Sequence, residues 1–170
     1  RNLILISCSS QKSAAAGKAK DLYQSDLFRK SFEYAKQQLA PLWIQNLSPD
    51  HNQIFILSAK YGLLNPHSFI FPYDESLNFM TPEKQQLWSN IVFRQLQDEY
   101  PGHEYPSQIF FLCGQNYRKH LLPLVADHFY RSDIKTPLAG LGIGQQKQWL
   151  KNRIQTELDH QYELESGLCS

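Results

Sequence analysis

The chain has 170 residues, a formal net charge of +1, 42% hydrophobic and 13% aromatic residues. That length holds one core rather than two joined by a linker, and that charge excludes a protein that coats nucleic acid through a uniformly basic surface, so any polyanion site must be local. There is no charged block long enough for a disordered tail, no apolar run near the roughly 20 residues that cross a bilayer, and no signal-peptide pattern, which together predict a membrane-free, cytoplasmic protein.

The first apolar run, residues 3–8, predicts a buried strand and leads into Ser9-Ser10-Gln11-Lys12. Residues 11–20, rich in Lys, Ala, Ser and Gly, predict a loop. Residues 21–39 turn helical, with Leu22, Leu27, Phe28, Phe32 and Ala35 near an i, i+4 spacing and Pro41 stopping the pattern. A second strand at residues 53–58 leads into Ser58-Ala59-Lys60-Tyr61-Gly62. Residues 62–81 hold Pro66 and Pro72 without a sustained period and predict a long ordered loop or lid, the kind of segment that usually carries function.

Thr81-Pro82-Glu83-Lys84 is a helix start, a capping threonine followed by proline in the first turn, and the helix is predicted to reach Glu99. A third strand at residues 108–113 ends in Gly114-Gln115-Asn116-Tyr117-Arg118. A helix over residues 117–130, interrupted or begun near Pro123, and a short fourth strand at 134–137 follow. Gly140, Gly142 and Gly144 then lead into a last helix at 145–158 with Trp149, Ile154 and Leu158 facing inward, and residues 161–170 are expected to fray. The alternation predicts an α/β fold: a single three-layer domain with a mostly parallel sheet of about four strands, helices on both faces and right-handed crossovers.

Three strands thus end in a small polar or glycine-containing cluster followed by a basic or tyrosyl residue. In an open parallel sheet such endings converge on the crevice beyond the carboxyl ends of the strands, which predicts one shared cavity. At the first ending, Ser7, Cys8 and Ser9 expose backbone N–H groups and Lys12 adds a cation, a combination suited to phosphate or carboxylate, although an ordinary turn with a solvated lysine accounts for the same residues. At the second, Lys60 can hold an anion, Tyr61 and Tyr73 can stack on a planar ring, and Asp74 offers the carboxylate the other loops lack; packing tyrosines and a turn-capping aspartate are the plainer alternative. At the third, Gly114 admits close backbone approach, Asn116 caps a helix or reads an amide edge, Tyr117 follows, and Arg118 can fork onto phosphate.

The glycines at 140–144 form a candidate anion nest without the dinucleotide fingerprint. Cys8, Cys113 and Cys169 are read as reduced thiols. With six scattered histidines, among them His51, they show no metal-ligand spacing, so neither a metal nor a cofactor is expected.

The order Ile6-Ser7-Cys8-Ser9, residues 56–66, Pro72-Tyr73-Asp74, then Gly114 to Tyr117 resembles the YaaA superfamily, and more closely its short relatives of uncharacterised function. Lys20-Asp21-Leu22-Tyr23 with Leu27-Phe28, and residues 138–149, extend the resemblance over nearly the whole chain. The longer members include a DNA-binding stress protein, which implies a nucleic-acid-facing cleft. This chain departs from it by lacking room for a helix-hairpin-helix element and by carrying Asp74 where a basic residue stands there.

Together these readings predict a nucleic-acid-acting enzyme of DNA-glycosylase type, in stress response or phage defence. One carboxylate, aromatic stacking surfaces and a few phosphate-holding cations are what cleavage of an N-glycosidic bond requires. Asp74, Lys60 and Tyr61 are assigned to the chemistry, with Asp21 as the reserve carboxylate. Ser7, Cys8, Ser9, Lys12, Tyr73, Gly114, Asn116, Tyr117 and Arg118 are assigned to binding. The expected partner is nucleic acid, DNA rather than RNA, or a nucleotide. The competing expectations are a non-catalytic module that binds DNA or a nucleotide, and an interaction subunit whose polar strand ends are merely loops.

Overall fold

Leu3, Ile4, Leu5 and Ile6 are each at most 1% exposed, so the first strand has no solvent face. A strand buried at every successive residue lies between two helical layers, and this is the arrangement of the computed structural model, which describes residues 2–39 and 53–168. Pro41, His51 and Cys169 lie outside the described residues.

In chain order the strands are β1 (Asn2–Ser7), β2 (Gly17–Lys18), β3 (Gln53–Ser58), β4 (Gly62–Leu64), β5 (Phe69–Ile70), β6 (Gln108–Leu112) and β7 (Asp133–Lys135). The helices are α1 (Ala19–Leu22), α2 (Asp26–Leu39), α3 (Pro82–Glu99), α4 (Gln115–Arg118), α5 (Leu121–His128) and α6 (Ile143–Leu168). The main sheet has the order β4-β3-β1-β6-β7, and β2 pairs with β5 in a separate two-stranded ribbon. All pairs in the main sheet are parallel except β3 with β4. The α/β three-layer reading therefore holds, with five strands in the sheet rather than about four.

The extra strand comes from the Ser58-Ala59-Lys60-Tyr61-Gly62 segment. Ser58 pairs with Gly62, so the chain reverses through Ala59-Lys60-Tyr61 and returns antiparallel along β3. Gly62 sits at φ +70°, the left-handed position that closes such a three-residue hairpin loop. The rest of the presumed loop at 62–81 contributes β5 and a short 3-10 turn, Leu77–Phe79.

Other boundaries shift for local reasons. The helical run at 21–39 divides, because the Ser25 hydroxyl accepts the Phe28 N–H and starts α2 afresh. The helix at 117–130 divides into α4 and α5. The last helix runs on to Leu168 instead of ending at 158, so residues 161–168 are helical rather than frayed. Leu158 is 48% exposed, not inward.

Two crossovers fix where a ligand could enter. The β1–β3 connection, through α2, steps to one side of β1, while the β6–β7 connection, through α4 and α5, steps the other way. Right-handed crossovers in opposite directions put α2 and α5 on opposite faces. α2 packs with α6 and α3 packs with α5, giving the two layers. The connections diverge between β1 and β6, so the topological switch point lies beyond the carboxyl ends of those two strands.

Candidate functional site

At the switch point the Cys8 sulfur lies 3.1 Å from the Tyr117 hydroxyl. Cys8 extends β1 by one step, its N–H donating to the Leu57 carbonyl at 3.0 Å, and Tyr117 is carried in α4 directly after β6. The backbone N–H of Leu77 and the Ser76 hydroxyl also face the Tyr117 hydroxyl. Tyr117 packs edge-to-face on Trp88, ring centroids 5.5 Å apart, and the Trp88 indole N–H donates to the Ser58 carbonyl at 2.8 Å. The first and third strand endings are thereby joined to the second.

A second set of phenols lies on the β3 side. The Tyr73 hydroxyl is 2.7 Å from the Ser58 hydroxyl and 2.6 Å from the Tyr23 hydroxyl, all three residues being buried. Ser58 Oγ also accepts the Tyr61 N–H at 3.0 Å, so one serine both shapes the hairpin and anchors Tyr73. Tyr61, half-buried, packs edge-to-face on Tyr73 at 5.5 Å. The Lys12 ammonium stands 4.5 Å from the Tyr73 ring centroid, and that of Lys60, at the exposed hairpin tip, 5.5 Å from the Tyr61 ring.

Burial sets the protonation of these groups. Desolvation pushes the Tyr23 phenol up to about 12, and it pushes Tyr73 and Tyr117 up further, with the nearby Cys8 adding to the effect. These phenols are therefore neutral hydrogen-bonding groups at physiological pH and not bases. Burial likewise pushes the Cys113 thiol up to about 12, which makes it a packing residue.

The remaining candidates divide. Ser7 and Cys8 border a cavity of about 30 Å³ with Ser25, Ser31, Cys113 and Gln146, the size of one water. Gly114 and Arg118 line a separate cavity of about 300 Å³ with Gly140, Gly142 and Gln146, so the glycine-rich segment before α6 does meet the third strand ending. Arg118 donates to the Cys113 carbonyl at 3.1 Å, which fixes one arm of the guanidinium beside that cavity. Lys60 and Arg118 follow strands on either side of β1, and Lys60, Tyr61, Tyr73 and Asp74 do not border the cavity that Gly114 and Arg118 line, so the residues expected in one cavity are not brought together in it.

Two candidates are spent on local structure. The Ser9 hydroxyl donates to the Gln11 carbonyl and accepts its N–H, both at 3.1 Å, closing a turn. Asn116 donates to the Asn78 side-chain oxygen at 2.8 Å and ties α4 to the 3-10 turn. Asp74, next to the anchored Tyr73, is exposed, and no described residue forms a hydrogen bond or ion pair with it. Asp21, the reserve, is paired with Lys20 at 3.7 Å.

Sequence reasoning passed over Ser58, Tyr23 and Trp88 as site residues. The signal for Ser58 was its position as the last residue of a buried strand; Tyr23 and Trp88 carry no local signal, because they reach the cluster from other elements.

A family model described as a family of unknown function, DUF6884, matches residues 3–152. The chain belongs to that family. The part matched to DUF6884 takes in every candidate from Ser7 to Arg118, together with the glycine-rich segment and the first turns of α6. No curated protein and no solved structure matches the chain.

Proposed function

We propose that the carboxyl edge of this DUF6884 domain holds a nucleobase and cleaves its N-glycosidic bond, with DNA as the source of the base. The observation that carries the reading is the pairing, at one strand end, of an anchored phenol cluster with a carboxylate that no described residue neutralises. Tyr73, buried, is fixed by two hydroxyl contacts and holds the half-buried Tyr61 by edge-to-face packing, so Tyr61 is a rigid aromatic surface for a planar ring. Asp74 follows Tyr73 in the chain and has its charge free for an oxocarbenium-like sugar, which develops only in the transition state. Lys12 and Lys60 stand beside the rings, and Arg118 lines the cavity on the far side of β1, where a phosphate would lie. The resemblance to the YaaA superfamily points the same way.

One observation favours a second reading, a non-catalytic module binding DNA or a nucleotide: Asp74 is exposed and held by no described residue, whereas a working carboxylate is ordinarily oriented by neighbours. The two readings separate in one assay. The protein is incubated with modified and unmodified DNA, and released base and abasic sites are measured alongside equilibrium binding. Base release establishes the enzyme, binding without release establishes the module, and the absence of both removes nucleic acid from the account.

A further inference from the structure

α6 begins as a core helix and ends as an exposed one. Leu150 is fully buried, Trp149 packs edge-to-face on Tyr34 of α2 with ring centroids 5.2 Å apart, and the Ile154 carbonyl accepts the Gln37 side-chain N–H at 3.2 Å. Over residues 155–167 only Glu157 and Gln161 are half-buried, and the others are exposed. A helix end that meets only water is polar all round, and this one is not. Leu158 is 48% exposed and Tyr162 74% exposed, and with the half-buried Ile154 they recur at every fourth residue, which aligns them along one side of the helix.

Charges of opposite sign stand at the two ends of this stripe. Lys151, Ile154, Leu158, Tyr162 and Glu165 are separated by 3, 4, 4 and 3 positions, the spacing of a seam between helices, and the spacing is the same read from either end. The whole of α6 is divided in the same sense: Lys147, Lys151 and Arg153 precede Ile154, whereas Glu157, Asp159, Glu163 and Glu165 follow it. No described residue forms an ion pair with Lys151 or Glu165.

A stripe of this kind is complementary to itself. Two antiparallel helices related by a two-fold axis at Leu158 set Leu158 against its own copy, Ile154 against Tyr162 of the second copy, and Lys151 against Glu165 of the second copy. Parallel helices would oppose lysine to lysine and glutamate to glutamate, and an unrelated partner requires no mirrored order within one helix. We propose that the exposed side of α6 is the interface between two copies of this chain, paired antiparallel about Leu158, an isologous contact. Three apolar side chains and one ion pair at each end make a small interface, so the pairing is reversible and depends on concentration. It needs neither the base site nor nucleic acid.

The test is sedimentation equilibrium of the full chain, without DNA, over a series of protein and salt concentrations. The substituted side chains are on the surface, so the variants are expected to keep the native thermal midpoint. The native chain is expected to show a monomer–dimer equilibrium that weakens with salt. Leu158→Lys, which opposes two like charges at the axis, is expected to weaken it about tenfold or more. Lys151→Glu and Glu165→Lys each make both ends of the seam repulsive and are expected to weaken it likewise, whereas an equimolar mixture of these two variants, or both changes in one chain, is expected to restore dimers. A native chain that stays monomeric at every concentration, a dimer indifferent to Leu158→Lys, or charge reversals that neither weaken the dimer singly nor restore it together each overturns the proposal.

Discussion

The Cys8 thiol and the Tyr117 hydroxyl, 3.1 Å apart, join the end of β1 to the first turn after β6 across the topological switch point. Cys8 is half-buried while Cys113, the next cysteine, is buried and pushed up to about 12 by desolvation. In a Cys169→Ser background, alkylation of the native protein is therefore expected at Cys8 alone, with Cys113 reacting only after denaturation. Tyr117→Phe is expected to slow alkylation of Cys8 several-fold, because the hydroxyl no longer holds the attacking sulfur in place. Mass spectrometry of labelled peptides reads both outcomes; an unchanged rate in the variant shows that the contact does not act on the sulfur.

Gly62 closes the hairpin that carries Lys60 and Tyr61. Its φ is +70°, and a Cβ there would stand 2.5 Å from the Gln95 side-chain oxygen, which itself accepts the Leu63 N–H at 2.8 Å. Gly62→Ala is expected to lower stability by about 1–2 kcal/mol from the backbone alone, with the displaced Gln95 contact adding to it. Chemical denaturation measures this, and a native-like midpoint would show that the hairpin tolerates another closure.

Buried acids make the fold sensitive to alkali. The Cys113 thiol rises from 9.0 to about 12 and the Tyr23 phenol from 10.0 to about 12 on folding, so the folded state holds these protons more tightly than the unfolded chain. Their contribution is complete below the unfolded values and is lost as pH rises through the folded ones. The denaturation midpoint is expected to hold up to about pH 9 and to fall steadily toward pH 12, with ionisation of the buried phenols appearing only together with unfolding. Tyrosinate formation complete at pH 10 without loss of structure would contradict the buried network.

Asp74 separates the enzyme from the binding module. In a glycosidic mechanism its charge acts only in the transition state, so Asp74→Asn is expected to lower base release by about 100-fold or more with little change in affinity. Arg118→Ala and Lys60→Ala are expected to weaken DNA binding and to flatten its salt dependence. Abasic-site formation and equilibrium binding, measured in parallel across a salt series, check both. Full activity in Asp74→Asn excludes Asp74 from the chemistry.

The sequence by itself determined the layers. The apolar runs ending at Cys8, Ser58 and Cys113 could only be buried strands, and Thr81-Pro82 could only start a helix, because these signals lie in local periodicity and capping chemistry. It also named Lys60, Tyr61 and Tyr73, which the structure groups near the end of β3, Tyr61 packing on Tyr73 and Tyr73 on Ser58. Tertiary structure decided the rest. The Gly62 hairpin was hidden because a three-residue reversal and a loop leaving a parallel strand share the same residues until pairing selects one. Tyr23 and Trp88 reach the cluster from elements 35 and 30 residues from Ser58 along the chain, and proximity of that kind is set by helix packing rather than by spacing. The strand order, which places Lys60 and Arg118 on opposite sides of β1, likewise follows from how the crossovers bury both faces of the sheet, a property of the assembled layers and of no single segment.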